Sequence, residues 1–512
     1  MPDNEKTEPI AKGAYRLFLS NITATIILAV SSIVIGRLLG PNNFGLYTLA
    51  LVIPGFAFTI MQLGIPTAAT RFSAMYSSSG DKERSASFAY NMLLFEFIVS
   101  LLLIAALIPF SGIFARYVFH RPILQSAIAV ALLALFGQSG FYTGLSALQG
   151  VGRMDRFALL QILQAMARLF MQVLLLLLGF GVLGAISGHV VGFFISGMIG
   201  LMFIKSIYAG VRPRNFISDV NTALRYAMPL YLASLVSGIV PPLQNTLLAS
   251  FVSNSEIGGF GAASNISVII SLFVFPIQTV LFPAFSAYKD RAKLLDFYRL
   301  TAKYTAVFIV PVASITVIAL SSPLTAAVYG RVYQFAGPYL ALLVLPSLLA
   351  GFGSLSQGNL LNGIGETRKS SIAGISGAIV TLASLPILTY LYGVYGAIIG
   401  SIAGQLVSFA IAWRMISNTL SGNIRVSDAY RIYIASFLSA ALVYPVTFVH
   451  TYPVITVLAV GLLFLAILIP FLALTKALTR DDVAFLDSQF SRLGFIHTLL
   501  KILIRYYNIF AR

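Results

Sequence analysis

The chain has 512 residues, 58% of them hydrophobic and 10% charged, with a mean hydropathy of +0.91 and a formal charge of +17. A soluble domain is about a quarter charged, so this composition excludes a soluble globular protein and predicts an all-α, polytopic membrane protein. The absence of cysteine excludes disulfides and thiolate metal sites, and without a Walker-type loop or a His-x-x-Glu-His pattern there is no motif for a built-in ATPase or a zinc centre.

The polar leader "MPDNEKTEPI" lacks a small-residue cleavage site, so the first apolar span, at 15–37, is expected to act as its own insertion signal. Further runs at 44–68, 86–110, 122–148, 157–179 and 183–207 are each long enough to cross about 30 Å of hydrocarbon as a helix. The pattern continues at 224–250, 257–282, 300–320, 335–360, 371–391, 395–416, 430–449 and 453–475. About fourteen spans put both termini on one side. They group into a six-helix lobe over 1–210, a second over 222–420, two added helices over 428–476 and a tail over 481–512. Pro241-Pro242 is expected to bend or break the seventh span. In the tail Leu486, Phe490, Leu493, Leu500, Leu503, Ile504 and Tyr507 recur at helical spacing between Arg492, Lys501 and Arg505. That is an amphipathic helix, lying on cytoplasmic headgroups or packed on the underside of the bundle.

Charge sets the orientation. Of the 33 basic residues 28 fall on the side of the termini, among them Arg212, Arg214 and Arg225 between the lobes. Arg37, Arg116, Arg121 and Arg331 fall opposite, and Arg168 alone is mid-span. The positive-inside rule then makes both termini cytoplasmic at a cell membrane. The excess charge is topology and lipid-headgroup contact, with no nucleic-acid partner.

The chain repeats itself. "QGVG" at 149–152 returns as "NGIG" at 362–365, and "FSA" at 72–74 returns at 285–287, both offset by 213. "GVLGAISGHVVG" at 181–192 returns as "GVYGAIIGSIAG" at 393–404, offset by 212, and Phe44-Gly45-x-Tyr47 falls on Ile257-Gly258-x-Phe260. Duplicated bundles of like orientation are transporter architecture, with a substrate site near midplane between lobes.

Turn glycines survive in both copies whereas charges do not. Arg37 maps to Ser250, Arg71 to Ala284, Glu96 to Ile309, His189 to Ser401 and Arg168 to Val380 or Thr381. The fold therefore does not require these groups. Arg168 is the sharpest, since an arginine at mid-helix costs about 2.5–3.5 kcal/mol on insertion scales. Gln161, Gln164, Arg168 and Gln172 share one helical face, which must meet a wet cavity or partner helices. Arg168 either lines that cavity or forms a buried ion pair with Glu96, which is also the candidate for ion coupling. Arg37 reads as a cavity residue or a snorkelling arginine, Arg71 as a site residue or a topology anchor, and His189 as a core residue. The second half offers amides: Gln244, Asn245, Asn265, Gln278, Gln357, Asn359 and Asn362. They suit sugar hydroxyls or helix–helix bonding. A cationic and amide-lined cavity asks for an anionic, hydroxyl-rich ligand, and arginine binds phosphate through two oxygens at once.

"GRLLGPNNFGLYTLA" at 36–50, "LQGVGRMDR" at 148–156 and its echo "LNGIGETRK" at 361–369 resemble the polysaccharide-biosynthesis flippases. These Wzx-like proteins belong to the MOP exporter superfamily with MATE drug exporters and lipid II flippases. The resemblance spans about the whole chain. It implies a MATE-like, two-lobed transporter and not an enzyme, one that needs no cofactor and alternates between inward- and outward-open states. Its cargo would be an oligosaccharide on a polyprenyl (di)phosphate, moved from the cytoplasmic to the outer leaflet, with Arg37 and Arg168 as cavity arginines. Drive would come from Na+ or H+, from membrane potential or from the lipid's own gradient. Glycosyltransferases and a polymerase or ligase would be its partners in the same biosynthesis. A MATE-type cation antiporter is the main rival. An intramembrane enzyme, which would need a sizeable outer loop, and a non-transporting scaffold are the others.

Overall fold

The computed structural model describes residues 4–208, 210–271, 285, 290–420, 429–449, 452–479, 482–483, 504–507 and 509–510. All of its regular elements are helical, and ten stretches among the described residues are long and apolar enough to cross a membrane. Lipid supplies no hydrogen-bond partners, so a spanning segment must satisfy its own backbone. The chain is a multi-pass membrane protein. Its exposed surface is correspondingly apolar: Leu102, Phe170, Met198, Leu458 and Leu462 are all more than half exposed.

Helix α1 (Asn4–Ala50) runs on through a corner at Gly40, whose φ of 68° and ψ of 168° lie outside the helical region. Only a residue without a Cβ takes that conformation cheaply, and Pro41 then opens the second arm. The expected second span is broken. It continues as α2 (Val52–Gln62) and α3 (Ile65–Ser78), separated by Leu63 and Gly64 at positive φ. Next come α4 (Lys82–Leu107), α5 (Leu124–Leu132), α6 (Ala134–Gly150), α7 (Met154–Leu177) and α8 (Gly181–Ile207). The 36-residue α9 (Phe216–Phe251) is continuous through Pro241-Pro242, so those prolines do not break it. Asn245 Nδ2 donates to the Pro241 carbonyl at 3.2 Å and Thr246 Oγ1 to that of Pro242 at 2.9 Å, bonds that local side chains add to the helix there. Helix α10 (Asn254–Ser271) follows; Gln278, Ala284 and the second "FSA" beyond Phe285 lie outside the described residues.

The described residues form two compact units, residues 1–261 with 389–394, and 262–388 with 395–512. In the first, Phe141, Leu148, Leu160 and Phe193 make one buried cluster and Ile65, Phe88 and Met92 another. Within this unit α1 and α10 cross with backbones touching. A Cβ on Gly45 would fall on the Asn254 carbonyl, and one on Gly258 would fall on the Pro41 carbonyl. Arg121 reinforces the crossing, donating through Nε to Asn254 Oδ1 at 2.6 Å and through Nη2 to the Val252 carbonyl at 3.2 Å.

The second unit contains α11 (Arg291–Ile315), α12 (Ser321–Tyr329), α13 (Gly337–Val344), α14 (Gln357–Gly363), α15 (Thr367–Leu420) except its residues 389–394, α16 (Ala429–Val443) and α17 (Pro453–Leu474). Helix α15 is two helices joined at Gly393. The repeated glycines share a positive φ: Gly181 and Gly393 have 54° and 55°, Gly152 and Gly365 have 74° and 83°. Val310, Ile432, Phe464 and Leu468 belong to the largest buried cluster here.

Thr479 and Asp482 form a reciprocal capping box in this unit. The Thr479 N–H and Oγ1 donate to Asp482 Oδ2 at 2.7 and 2.8 Å, and the Asp482 N–H returns a bond at 3.2 Å. Lys303 of α11 adds an ion pair at 2.5 Å and Tyr304 a hydrogen bond at 3.1 Å. Farther on, Tyr507 is buried and donates to the Leu478 carbonyl at 2.7 Å, and Tyr506 to that of Ala466 at 3.0 Å. These described residues of the tail therefore pack on the bundle; Leu486, Phe490, Arg492, Leu493, Leu500, Lys501 and Leu503 lie outside the described set.

Burial pushes the Asp482 carboxyl up, but bonds from Lys303 and Thr479 outweigh it and hold it below the usual carboxylate range. Such a group adds stability above its unfolded pKa of about 3.9 and loses it as pH falls through the lower folded value. Limited proteolysis beyond Thr479 is expected to accelerate only below about pH 4 in the wild type, and already at neutral pH in Asp482→Asn.

Candidate substrate-binding site

Helices α7 and α8 approach backbone to backbone because α8 presents glycines four residues apart on one face, a small-xxx-small pairing surface. A Cβ on Gly188 would overlap the Gln172 backbone, and one on Gly192 would meet Arg168 Cα at 2.7 Å. The repeat-related glycines do the same in the second unit: Gly400 abuts Ser384 and Leu385, and Gly404 abuts Thr381 and Gly377. In the first unit this clamp fixes the stretch of α7 that carries Arg168 and Gln172.

The polar face of α7 meets α1, the partner-helix outcome that its pattern allowed. Gln161 Nε2 donates to Asn21 Oδ1 at 2.7 Å. Gln172, fully buried, donates to Tyr47 Oη at 2.9 Å and to the Ala185 carbonyl at 3.0 Å, and it accepts from Ser31 at 3.0 Å. Half-buried Arg168 reaches Gln172 Oε1 from Nε at 3.3 Å and Tyr47 Oη from Nη2 at 3.4 Å. Gln164 is buried on the same helix. Every hydrogen-bond partner of Arg168 among the described residues is neutral and both bonds are long. Among the described residues the charge is held in place by neutral partners alone.

Glu96 does not pair with Arg168, which overturns the ion-pair alternative. Its carboxylate is fully buried and accepts from Thr143 Oγ1 at 2.6 Å, and its Oε1 has no hydrogen bond among the described residues. His189 is buried with its ring edge on Phe193 at 5.0 Å, the packing of a core histidine. Arg37 is exposed just before the Gly40 corner. Arg71 is also exposed and stacks its guanidinium on Tyr226 at 4.2 Å. Gln244 and Asn245 lie on α9 in the first unit, half-buried. Gln357 belongs to the second unit, where it is buried and donates to the Phe409 carbonyl at 3.5 Å, a helix–helix bond. Tyr47 was not expected in the site; its phenol is the one aromatic hydroxyl in the arm of α1 after the Gly40 corner.

A second charged cluster had no sequence signal. Arg84 pairs with both oxygens of fully buried Asp219, and Asn91 Nδ2 donates to the same carboxylate at 2.7 Å. Asn91 also donates to the Arg214 carbonyl at 2.7 Å, while Ser87 Oγ accepts from the Arg214 N–H at 2.8 Å. The segment before α9 is thereby tied to α4.

The fold is similar to that of the lipid II flippase MurJ in an inward closed conformation. The TM-score is 0.72 at 15% identity, covering 89% of this chain and 98% of that one. An inward-facing multidrug-resistance MATE transporter gives 0.64 at 18% identity, with 78% and 94% covered. The architecture is thus that of the MurJ- and MATE-like membrane transporters, as the opening motifs implied.

In sequence, a candidate O-antigen transporter of Shigella dysenteriae is 26% identical over 310 residues, 59% of this chain and 75% of that protein. Stage V sporulation protein B of Bacillus subtilis is 20% identical over 480 residues, covering 84% and 89% of the two chains. Residues 10–289, more than half of the chain, match the polysaccharide biosynthesis protein family, and the chain belongs to that family.

Proposed function

We propose that the protein is a flippase that carries a polyprenyl-(di)phosphate-linked oligosaccharide from the cytoplasmic to the outer leaflet by alternating access. Family membership, the O-antigen relative and the flippase-like fold all support this reading. The observation that carries the site is the guanidinium of Arg168 at mid-span, whose hydrogen bonds among the described residues go to neutral Tyr47 and Gln172. A phosphate arriving there meets a cation with unused donors, and the amides of Gln161 and Gln164 on the same face suit the adjoining sugar. Moving sugar hydroxyls through bare hydrocarbon costs several kcal/mol per unpaired group; a polar path removes that cost. Arg37 and Arg71 would hold the phosphate on either side of the crossing, and Gln244 and Asn245 of α9, in the same unit, would add amides. The two lobes are taken to be the duplicated six-helix bundles, with both termini in the cytoplasm of a cell-membrane protein of about fourteen spans. Glu96, buried and half-satisfied, is the group through which Na+ or H+ would couple. The enzymes that build and consume such lipids, glycosyltransferases and a polymerase or ligase, are the partners this role requires.

The test is translocation of a fluorescent polyprenyl-diphosphate-linked sugar in vesicles containing the purified protein. Charge-assisted hydrogen bonds contribute about 1.5–3 kcal/mol, so Arg168→Gln is expected to slow flipping by about tenfold or more. Arg168→Lys should recover part of the rate. An Arg168→Gln protein that flips at the wild-type rate, together with drug efflux that Glu96→Gln abolishes, would establish a MATE-type antiporter instead.

A further inference from the structure

The start of α9 carries a surface that the transport reading leaves unused. Ile217, Val220 and Leu224 fall on one helical face and line a cleft of about 870 Å³ against Phe95 and Ile98 of α4. Ile217 is 82% exposed, far from core packing. One residue on, at the same spacing, Ser218, Asn221 and Arg225 form an adjoining polar stripe; all three are exposed and the first two also line the cleft. On α4, Glu96 turns toward Thr143 while Phe95 and Ile98 face the cleft, so it opens on the opposite side of that helix from the buried carboxylate.

An apolar stripe bordered by a polar one that ends in arginine is how a helix sits at a bilayer interface. The local charge is unbalanced as well. Asp219, the nearby carboxylate, is buried and occupied by Arg84 and Asn91, whereas Arg212, Arg214 and Arg225 are exposed. We infer that this cleft holds an anionic phospholipid of the leaflet facing the chain termini. Its acyl chains lie along Ile217, Val220 and Leu224 against Phe95 and Ile98, and its phosphate rests on Arg225, Asn221 and Ser218. Bound there, the lipid bridges α4 and α9 beside the Arg84–Asp219 tie, and it is a resident of the protein, not cargo.

Native mass spectrometry of the full chain in detergent, with added phosphatidylglycerol or phosphatidylcholine, tests this without any transport measurement. Phosphatidylglycerol is expected to be retained preferentially. A basic residue near the membrane surface adds roughly a factor of five to anionic-lipid affinity, so Arg225→Gln should cut retention about fivefold, and Ile217→Glu should abolish it. Arg414→Gln, an exposed basic position elsewhere, should leave retention unchanged. Equal retention of the two lipids, or wild-type retention by Arg225→Gln, would overturn the inference. So would displacement of phosphatidylglycerol by farnesyl phosphate, which would make the cleft a prenyl-phosphate site. A failed flipping assay would leave this readout untouched.

Discussion

Arg84→Ala is expected to destabilise the protein by about 3–5 kcal/mol, the cost of removing one partner from a buried ion pair. The loss falls on Asp219, which has no exposed surface and, among the described residues, would keep Asn91 alone as a side-chain partner. The reverse change is milder. Arg84 is 27% exposed and can turn to water when Asp219 becomes asparagine. Arg84→Lys keeps the charge but loses the two-pronged geometry, and should fall between the two. Thermal unfolding in detergent, followed by circular dichroism, ranks the three variants against Lys82→Ala on the same helix. An Arg84→Ala shift no larger than that of Lys82→Ala would remove the ion pair from any role in holding α9 to α4.

Gly192→Leu and Gly188→Leu should be nearly as damaging, and by a different route. Overpacking a tight contact typically costs about 1–3 kcal/mol when side chains can give way. Here the obstacle is the backbone of α7 at Arg168 and Gln172, which cannot rotate aside. The upper end of that range is expected in stability. Transport should be lost even in protein that still folds, because α7 must shift and carry Arg168 away from Tyr47. Gly461→Ala is the control: it has open space around the missing Cβ and sits inside α17. It should be neutral or stabilising by about 0.5–1 kcal/mol, the ordinary helix gain over glycine. Folding yield and flipping of the three variants, measured side by side, separate a crowding effect from a general intolerance of change at glycine.

What could be read before the structure, and what could not, divides along physical lines. Long apolar runs have one solution in lipid, so helices and their approximate places followed from hydropathy. The repeated glycines were legible because a turn or a close backbone approach admits almost no other residue, and Gly181 with Gly393 share their φ accordingly. Gly40-Pro41, where the chain turns its corner, falls in the gap between the expected spans 15–37 and 44–68. The break at Leu63-Gly64 was missed inside a run of uniform hydropathy. Pro241-Pro242 did not break its helix, and local bonds from Asn245 and Thr246 accompany the continuous run there. The shared face of Gln161, Gln164, Arg168 and Gln172 was correctly grouped by its spacing. Its partners Asn21, Ser31 and Tyr47 are more than a hundred residues away, and no local pattern announces them. The same distance hid Asp219, which reads locally as an ordinary acid in the first turn of a helix.

The crossing of α1 and α10 leaves no room for compromise by the partner. Residue 45 lies against the carbonyl of 254 and residue 258 against that of 41, and in the 213-residue register 41 answers to 254 and 45 to 258. A bulky substituent at either glycine therefore strikes main chain, which no exchange of side chain across the contact can trim. Second-site suppressors of such a change should map to residues that alter the tilt or length of the two helices, and never to the residue directly opposite.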